Sequence, residues 1–452
     1  MYKSSLALAV ALGVLAQQAG AAGFIEDSKL SLSSRTMYYD NDNREAHASA
    51  STNFKRPDQR ETGQGFKLDY ISGFTQGTVG FGVDAQALWG IHLDGGRGYH
   101  KSGFMPDATD GSSVNQWARF GANAKARFSK TEAHFGSALA PMLPILVSND
   151  GRLLPQTFEG GTITSKEIDN LTINAGQLTH AMGRASSNRT GLSVAGATAD
   201  SNKFRYGGLD YKLTPDLTLQ YYYSNLEDFY KQHFLGATHV FKIADDQSFK
   251  TDLRYFDSSA DGRNKKGGPG EYNFNNNGGY EKTDGKVDNK TWSAMFTYTL
   301  GGHALMVGHQ QVSDDGGFVW LNQGNVVDSN GRGEGAGGAS FYLFTDSMIN
   351  QFAKAGENTT FGQYSYDFAR LGVPGLKASV AYLRGDDVRY KSGQGTYNEW
   401  ERDARIDYVI QEGPLKGLGA SLRHGVYRGE GNEASADQDQ TRLIFNYTYN
   451  FM

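Results

Sequence analysis

The chain has 452 residues, enough for two or three ordinary soluble domains or for one large architecture. Its 58 glycines against nine prolines, with 25 tyrosines and 26 phenylalanines, favour the second, because long helices tolerate neither so many glycines nor so many aromatics. A formal net charge of −5 argues against a nucleic-acid binder, and the absence of cysteine fits a chain that crosses an oxidising space before folding.

At the N-terminus, Lys3 precedes an apolar run from Leu6 to Ala16 and small residues at Ala19, Gly20, Ala21 and Ala22, the layout of a cleaved secretory signal. The run is well short of the roughly 20 residues that span a bilayer as a helix. Residues 1–22 are therefore expected to be removed, leaving 23–452 as one domain. No later stretch is apolar for long enough to form a membrane helix.

Alternation then recurs along the chain. Arg35 shares a face with Ser31 and Ser33. In "TVGFGVDAQALWGI", Val79, Phe81, Val83, Ala85 and Ala87 oppose Gly80, Gly82, Asp84 and Gln86. In "NQWARFGANAKARFSK", Arg119, Lys125 and Arg127 share a face with Trp117, while Phe120, Ala124 and Phe128 take the other. Next comes "APMLPILVSNDGRLLPQTFEGG", residues 140–161, with three of the nine prolines among six aliphatic side chains. So apolar a loop would not sit in water, and folding it back against a barrel wall would hide it and narrow the channel. The segment "DLTLQYYYS" follows the turn "LTPD", and Arg254 alternates with Leu253 and Tyr255. Residues 258–286 and 313–356 are rich in Gly, Asn and charge and read as surface loops with little fixed structure. Arg405 lies with Asp403 and Asp407, Arg423 with Ser421, and Arg442 with Asn446; Arg428, near a strand end, has no assigned face. The chain ends "TRLIFNYTYNFM", with Leu443, Phe445, Tyr447, Tyr449 and Phe451 on one face and Ile444 an apolar exception on the other. Phe451 falls where a terminal assembly signal places an aromatic, although Met452 follows it.

About eighteen such segments, roughly 9 to 11 residues long with aromatics near their ends, match tilted membrane strands better than soluble ones. The expected fold is all-β, a transmembrane antiparallel β-barrel with an inward-folded constriction loop. Hydrocarbon offers no partner to an open strand edge, so the sheet must close. Its polar face then lines a pore. Arginines on such a wall focus a positive potential that draws anions, and guanidinium forks suit carboxylates. Each cation could instead balance a lumen acid. For Arg119, Lys125 and Arg127 the even spacing implies repulsion unless an anion visits. No G-x-S-x-G, no H-E-x-x-H and no cysteine nucleophile is present, and the ten histidines lack metal-ligand spacing, so no catalytic group, cofactor or metal is expected.

The strings "GFIEDSKLSLSSRTMYYDND", "GRLLPQTFEGG", "LEDFYKQHF" and "LGVPGLKASVAYLRGDD" resemble the substrate-specific outer-membrane porins of the OprD (Occ) family of pseudomonads, over essentially the whole mature chain. The resemblance implies an 18-stranded barrel, a constriction made by the third loop, and a ladder of Arg and Lys that leads carboxylates through. It makes Arg152 the constriction arginine and Arg35, Lys125, Arg127, Arg423 and Arg442 wall residues of the ladder. With Arg119 and Arg405 from the alternation, these form the expected substrate path. "TSKEIDNLTINAGQL" and "EWERDARIDYVIQEGPLKGL" look closer to the branch that takes up cyclic and aromatic carboxylates such as benzoate or vanillate. Gln363, Ala381 and Ser421 depart from arginines of relatives, thinning the ladder on one wall. The implied setting is the bacterial outer membrane, as a monomer or loose trimer. Its partners there are small carboxylates, outer-membrane lipid, lipopolysaccharide and the barrel-assembly machinery, with no nucleic acid. A weakly selective diffusion pore and an outer-membrane hydrolase are the alternative readings.

Overall fold

A computed structural model describes residues 23–44, 58–95, 102–108, 112–275, 279–321, 338–431 and 433–452, and the expected leader at 1–22 lies outside them. In chain order the strands are β1 (Lys29–Asn43), β2 (Gln59–Ile71), β3 (Val79–Asp94), β4 (Gln116–Phe128) and β5 (Thr131–Leu139). A small hairpin of β6 (Met142–Leu143) and β7 (Leu146–Val147) follows, then β8 (Thr157–Ser165), β9 (Leu171–Met182), β10 (Phe204–Lys212) and β11 (Leu217–Leu226). The rest are β12 (Tyr230–Ala244), β13 (Gln247–Ala260), β14 (Asp288–Leu300), β15 (His303–Val312), β16 (Asn358–Asp367), β17 (Leu376–Arg389), β18 (Thr396–Val409), β19 (Gly419–Gly429) and β20 (Gln438–Asn450).

Among the described residues, eighteen of these strands form one antiparallel sheet, and β1 pairs with β20 to close it. The closing register runs from Ser31 opposite Asn450 to Asn43 opposite Gln438, and the Phe451 N–H donates to Leu30 O at 2.8 Å. Tight turns such as 129–130, 245–246 and 301–302 lie at one rim with the ends of β1 and β20. Longer connections lie at the other.

The alternation has its expected meaning. In β4, Trp117, Gly121, Asn123 and Lys125 are buried inside while Ala118, Phe120, Ala124 and Phe128 are exposed outside. Ile444, the apolar exception of the last strand, packs inside the wall against Met37, Tyr39, Leu153 and Leu154. Its partners explain it: residues 140–156 fold into the barrel. Leu153 and Leu154 are almost fully buried, as are Ile145 and Leu146 in a second cluster with Phe158 and Leu178. Burying each such side chain contributes roughly 1.5–3 kcal/mol. Across from Arg35 in the ladder, Gly65 leaves the space the loop needs, since a Cβ there would stand 2.9 Å from Leu153 O.

The two segments read from sequence as loosely structured are corrected by the structure. In 258–286, Asn264 donates to Tyr272 O and Gly285 O and accepts from the Val287 N–H, and Phe274 is buried. In 313–356, "GRGEGAGG" lies almost wholly outside the described residues, but the flanking "FVWL" (318–321) and most of "FYLF" (341–344) pack into the interior cluster. A few aromatics bury enough apolar area to order a segment whose average composition is polar. Ser340 N–H donates to Val147 O at 3.0 Å, joining this second inward segment to the first.

Gly65→Val should therefore push the 140–156 loop off the wall, an overpacking cost of roughly 1–3 kcal/mol. Planar-bilayer recording should show a larger single-channel conductance; an unchanged conductance would contradict this account of the close approach.

Candidate functional site

The inner wall places one row of residues in register across neighbouring strands: Ser379, Arg405, Arg423, Arg442 and Tyr39, on β17, β18, β19, β20 and β1. Opposed positions in an antiparallel pair share a face and lie about 4.5–5.5 Å apart, so three guanidinium groups stand side by side. Each is tethered along its own strand. Arg405 Nε donates to Asp407, Arg423 Nε to Ser421 Oγ at 3.2 Å, and Arg442 Nε to Gln440 Oε1 at 2.7 Å. The tethers fix the orientation and leave the outer nitrogens of Arg405 and Arg423 toward the lumen.

Two loop arginines complete the site. Arg152 donates through Nε to Ser102 O at 2.9 Å, and its guanidinium lies 5.2 Å from the Tyr39 ring centroid, with that of Arg442 5.8 Å from the same ring. Arg184, between β9 and β10, donates to Asn149 Oδ1 at 3.2 Å, and its Nε has no partner among the described residues. Sequence reasoning missed Arg184, because it sits in a loop with no alternation to give it a face. Burial, with like charge from Arg152, pushes its guanidinium down to about 9, so it is charged at neutral pH.

Together these arginines line a cavity of about 500 Å³. Five arginines (Arg152, Arg184, Arg405, Arg423, Arg442) face it against two aspartates (Asp346, Asp403), and Met306, Phe344, Phe361 and Leu383 supply an apolar side. Gln363 and Ala381, the neutral positions expected from the sequence to thin the ladder, lie on that apolar side. Inward acids also hold the second loop: Glu401 accepts from the Ile349 and Asn350 N–H groups at 2.8 and 2.7 Å, and Asp403 from Met348 N–H at 3.3 Å. Burial pushes the Asp346 carboxyl up to about 6, against the opposing pull of Ser340 and Arg184.

The other expected cations lie elsewhere. Arg35 donates to Asp150 Oδ1 at 2.8 Å and Arg152 O at 2.6 Å, gripping the first inward loop, and borders a smaller cavity of about 240 Å³ with Lys67. Arg119 donates to carbonyls of Gly183, Ser186 and Pro155, tying two loops together. Lys125 donates to Ser72 O and Asp84 Oδ1, both at 2.7 Å, and the Arg127 guanidinium lies 4.2 Å from the Phe74 ring centroid. All three point inward as read. The expectation that they need a visiting anion is corrected for Arg119 and Lys125, whose donors go to carbonyls and a carboxylate; Arg127 stays exposed on the inner face with the Phe74 ring beside it.

A closed barrel with a lipid-facing apolar exterior and a lumen narrowed by loops around a cationic cavity defines an outer-membrane channel. The model of the outer membrane porin, OprD family, matches residues 22–451, and the chain belongs to that family. It is 32% identical to Porin D of Pseudomonas aeruginosa over 460 residues, covering 98% of this chain and 95% of that protein. Identity to the porin-like protein GalP of Pseudomonas putida is also 32%, with 95% and 94% covered. Among solved structures, Pseudomonas aeruginosa OccK8 (OprE) is 44% identical with a TM-score of 0.82, and Pseudomonas aeruginosa OpdK with vanillate is 30% identical with a TM-score of 0.79. Both alignments cover 95% of this chain and 100% of the other. The fold and family are those of channels of the bacterial outer membrane rather than of enzymes.

Asp346 is ionised above about 6 and neutral below, so the cavity gains one unit of net positive charge as the pH falls through that value. The anion-over-cation permeability ratio, read from reversal potentials at pH 7 and 5, should rise a few-fold on acidification. In Asp346→Asn it should be higher than wild type at pH 7 and rise less on acidification.

Proposed function

We propose that this barrel is a passive uptake channel selective for small organic carboxylates, aromatic or cyclic acids foremost. The observation that carries the reading is the pairing, around one cavity, of an in-register row of guanidinium groups with an apolar wall. Arg405, Arg423 and Arg442, joined by Arg152 and Arg184 from the loops, would bind the carboxylate, and Met306, Phe344, Phe361 and Leu383 would receive a ring. The volume falls within the roughly 300–1,000 Å³ usual for small-molecule sites.

The neutral Gln363 and Ala381 fit this division, because a thinner ladder on that side leaves an apolar surface for a flat solute. Toward the tight-turn rim, Arg35 with Lys67, then Lys125 and Arg127, would extend the positive path at lower local affinity. Arg119 would serve it by holding the loops. Several weak sites let a solute enter and still leave. The crystal structure of the relative OpdK with vanillate supports the same class of solute.

Arg423→Gln and Arg152→Ala, recorded singly with benzoate, test the assignment. A charge-assisted hydrogen bond is worth roughly 1.5–3 kcal/mol, and losing one of several shared contacts should cut benzoate selectivity about threefold to tenfold. Flux of a neutral sugar should stay unchanged. Benzoate permeation that does not saturate and is indifferent to both substitutions would favour the weakly selective diffusion pore.

A further inference from the structure

The cations considered so far face the lumen; Arg402 is among the arginines of the wall that do not. In β18, Glu401 is fully buried and Asp403 lines the cavity, so Arg402 between them points out toward lipid. It is exposed, and its register partners are Tyr382 on β17 and Val426 on β19. Val380, Ile406 and Leu422 are exposed apolar residues of the same outer face.

An arginine beside hydrocarbon is costly unless its head reaches the interface and meets an anion. The position allows the first. Arg402 stands opposite Tyr382 and two residues from Trp400, on its rim-distal side, and these two rings lie 6.1 Å apart on the half of the wall nearer the long connections. Tyr and Trp on a lipid face mark the interface. The charges nearby differ from Arg402 in one respect. Arg384 pairs with Asp386 at 2.9 Å, and Arg428, which also lies on the outer face, pairs with Asp439 at 2.8 Å. Arg402 has no hydrogen bond and no ion pair among the described residues. Its carboxylate neighbours in sequence, Glu401 and Asp403, are on the far side of the wall.

We infer that Arg402 is a docking point for a phosphate group on the saccharolipid of the outer leaflet, lipopolysaccharide. The planar guanidinium fork matches a phosphate bidentately, and the flanking Tyr382 and Trp400 give the sugar and the first acyl carbons an amphipathic surface. The inference is independent of the solute that passes through the lumen.

The full barrel, purified in detergent, is mixed with phosphorylated or dephosphorylated lipid A, and the bound lipid is counted by native mass spectrometry for wild type, Arg402→Leu and Arg205→Leu. Arg205 is another outward arginine, satisfied by Gln177 Oε1 at 3.0 Å. Losing one cation near the interface should weaken retention of phosphorylated lipid A about fivefold in Arg402→Leu and leave Arg205→Leu like wild type. The assignment is overturned if Arg402→Leu retains as much lipid as wild type, if the dephosphorylated form binds as well, or if the substitution changes only the oligomeric state, which would mean a second copy covers Arg402.

Discussion

Hydrocarbon cannot hydrogen-bond to a peptide group, and the rest of this structure depends on that constraint. A strand edge left open in the membrane would strand a row of N–H and C=O groups, so the first strand must meet the last. Here β1 and β20 do so along nearly their whole length. The seam does more than close the ring. Side chains alternate with a period of two, and a slip of one residue would turn every lumen arginine to lipid and every lipid-facing aromatic to water. Fixing Arg442 opposite Tyr39 at the seam sets the level at which Arg423 and Arg405 follow on the next strands.

A ring of this many strands encloses a wide, wet interior. Two inward segments fill part of it, and wall charges of both signs hold their backbones. Arg35 donates to Arg152 O, Arg119 to Pro155 O, Arg254 to Tyr342 O and Arg442 to Met348 O. Glu401 and Asp403 accept N–H groups of residues 348–350. Arg254 also lies 3.6 Å from the ring centroids of both Tyr342 and Phe344. Loop backbone that would be unsatisfied inside a protein is thereby paired, and the apolar side chains between these anchors seal the contact.

The barrel was legible in the sequence because its signal is local: alternation in "NQWARFGANAKARFSK" or "TRLIFNYTYNF" needs only neighbouring residues and the chemistry of the two faces. The first inward loop was legible for a related reason, since so apolar a stretch could not be left in water. The second was not, because "FVWL" and "FYLF" are short islands in Gly and Asn whose importance shows only when the first loop supplies their partners. Among the site residues, parity gave the facing of Arg405, Arg423 and Arg442, but not that they share one level, which is a matter of register between strands far apart in the chain. Arg184 carried neither parity nor a motif.

Facing inward also did not distinguish two uses of the same side chain. Arg119 spends its donors on loop carbonyls, and Arg35 and Arg254 divide theirs between loop carbonyls and the carboxylates of Asp150 and Asp252, so these side chains hold the loops in place. Arg405 and Arg423 are tethered by Nε alone, to Asp407 and Ser421, with their planar ends toward the cavity. Like charges directly opposed in a sheet are destabilising, and a barrel under pressure only to be stable would have placed an acid or a neutral residue in one of these positions. The water-filled lumen lowers that cost, and Asp403 and Asp407 lower it further on one strand only. What remains is an excess of positive charge around the cavity between the wall and the inward loops, held in fixed geometry, which the arrival of an anion would relieve.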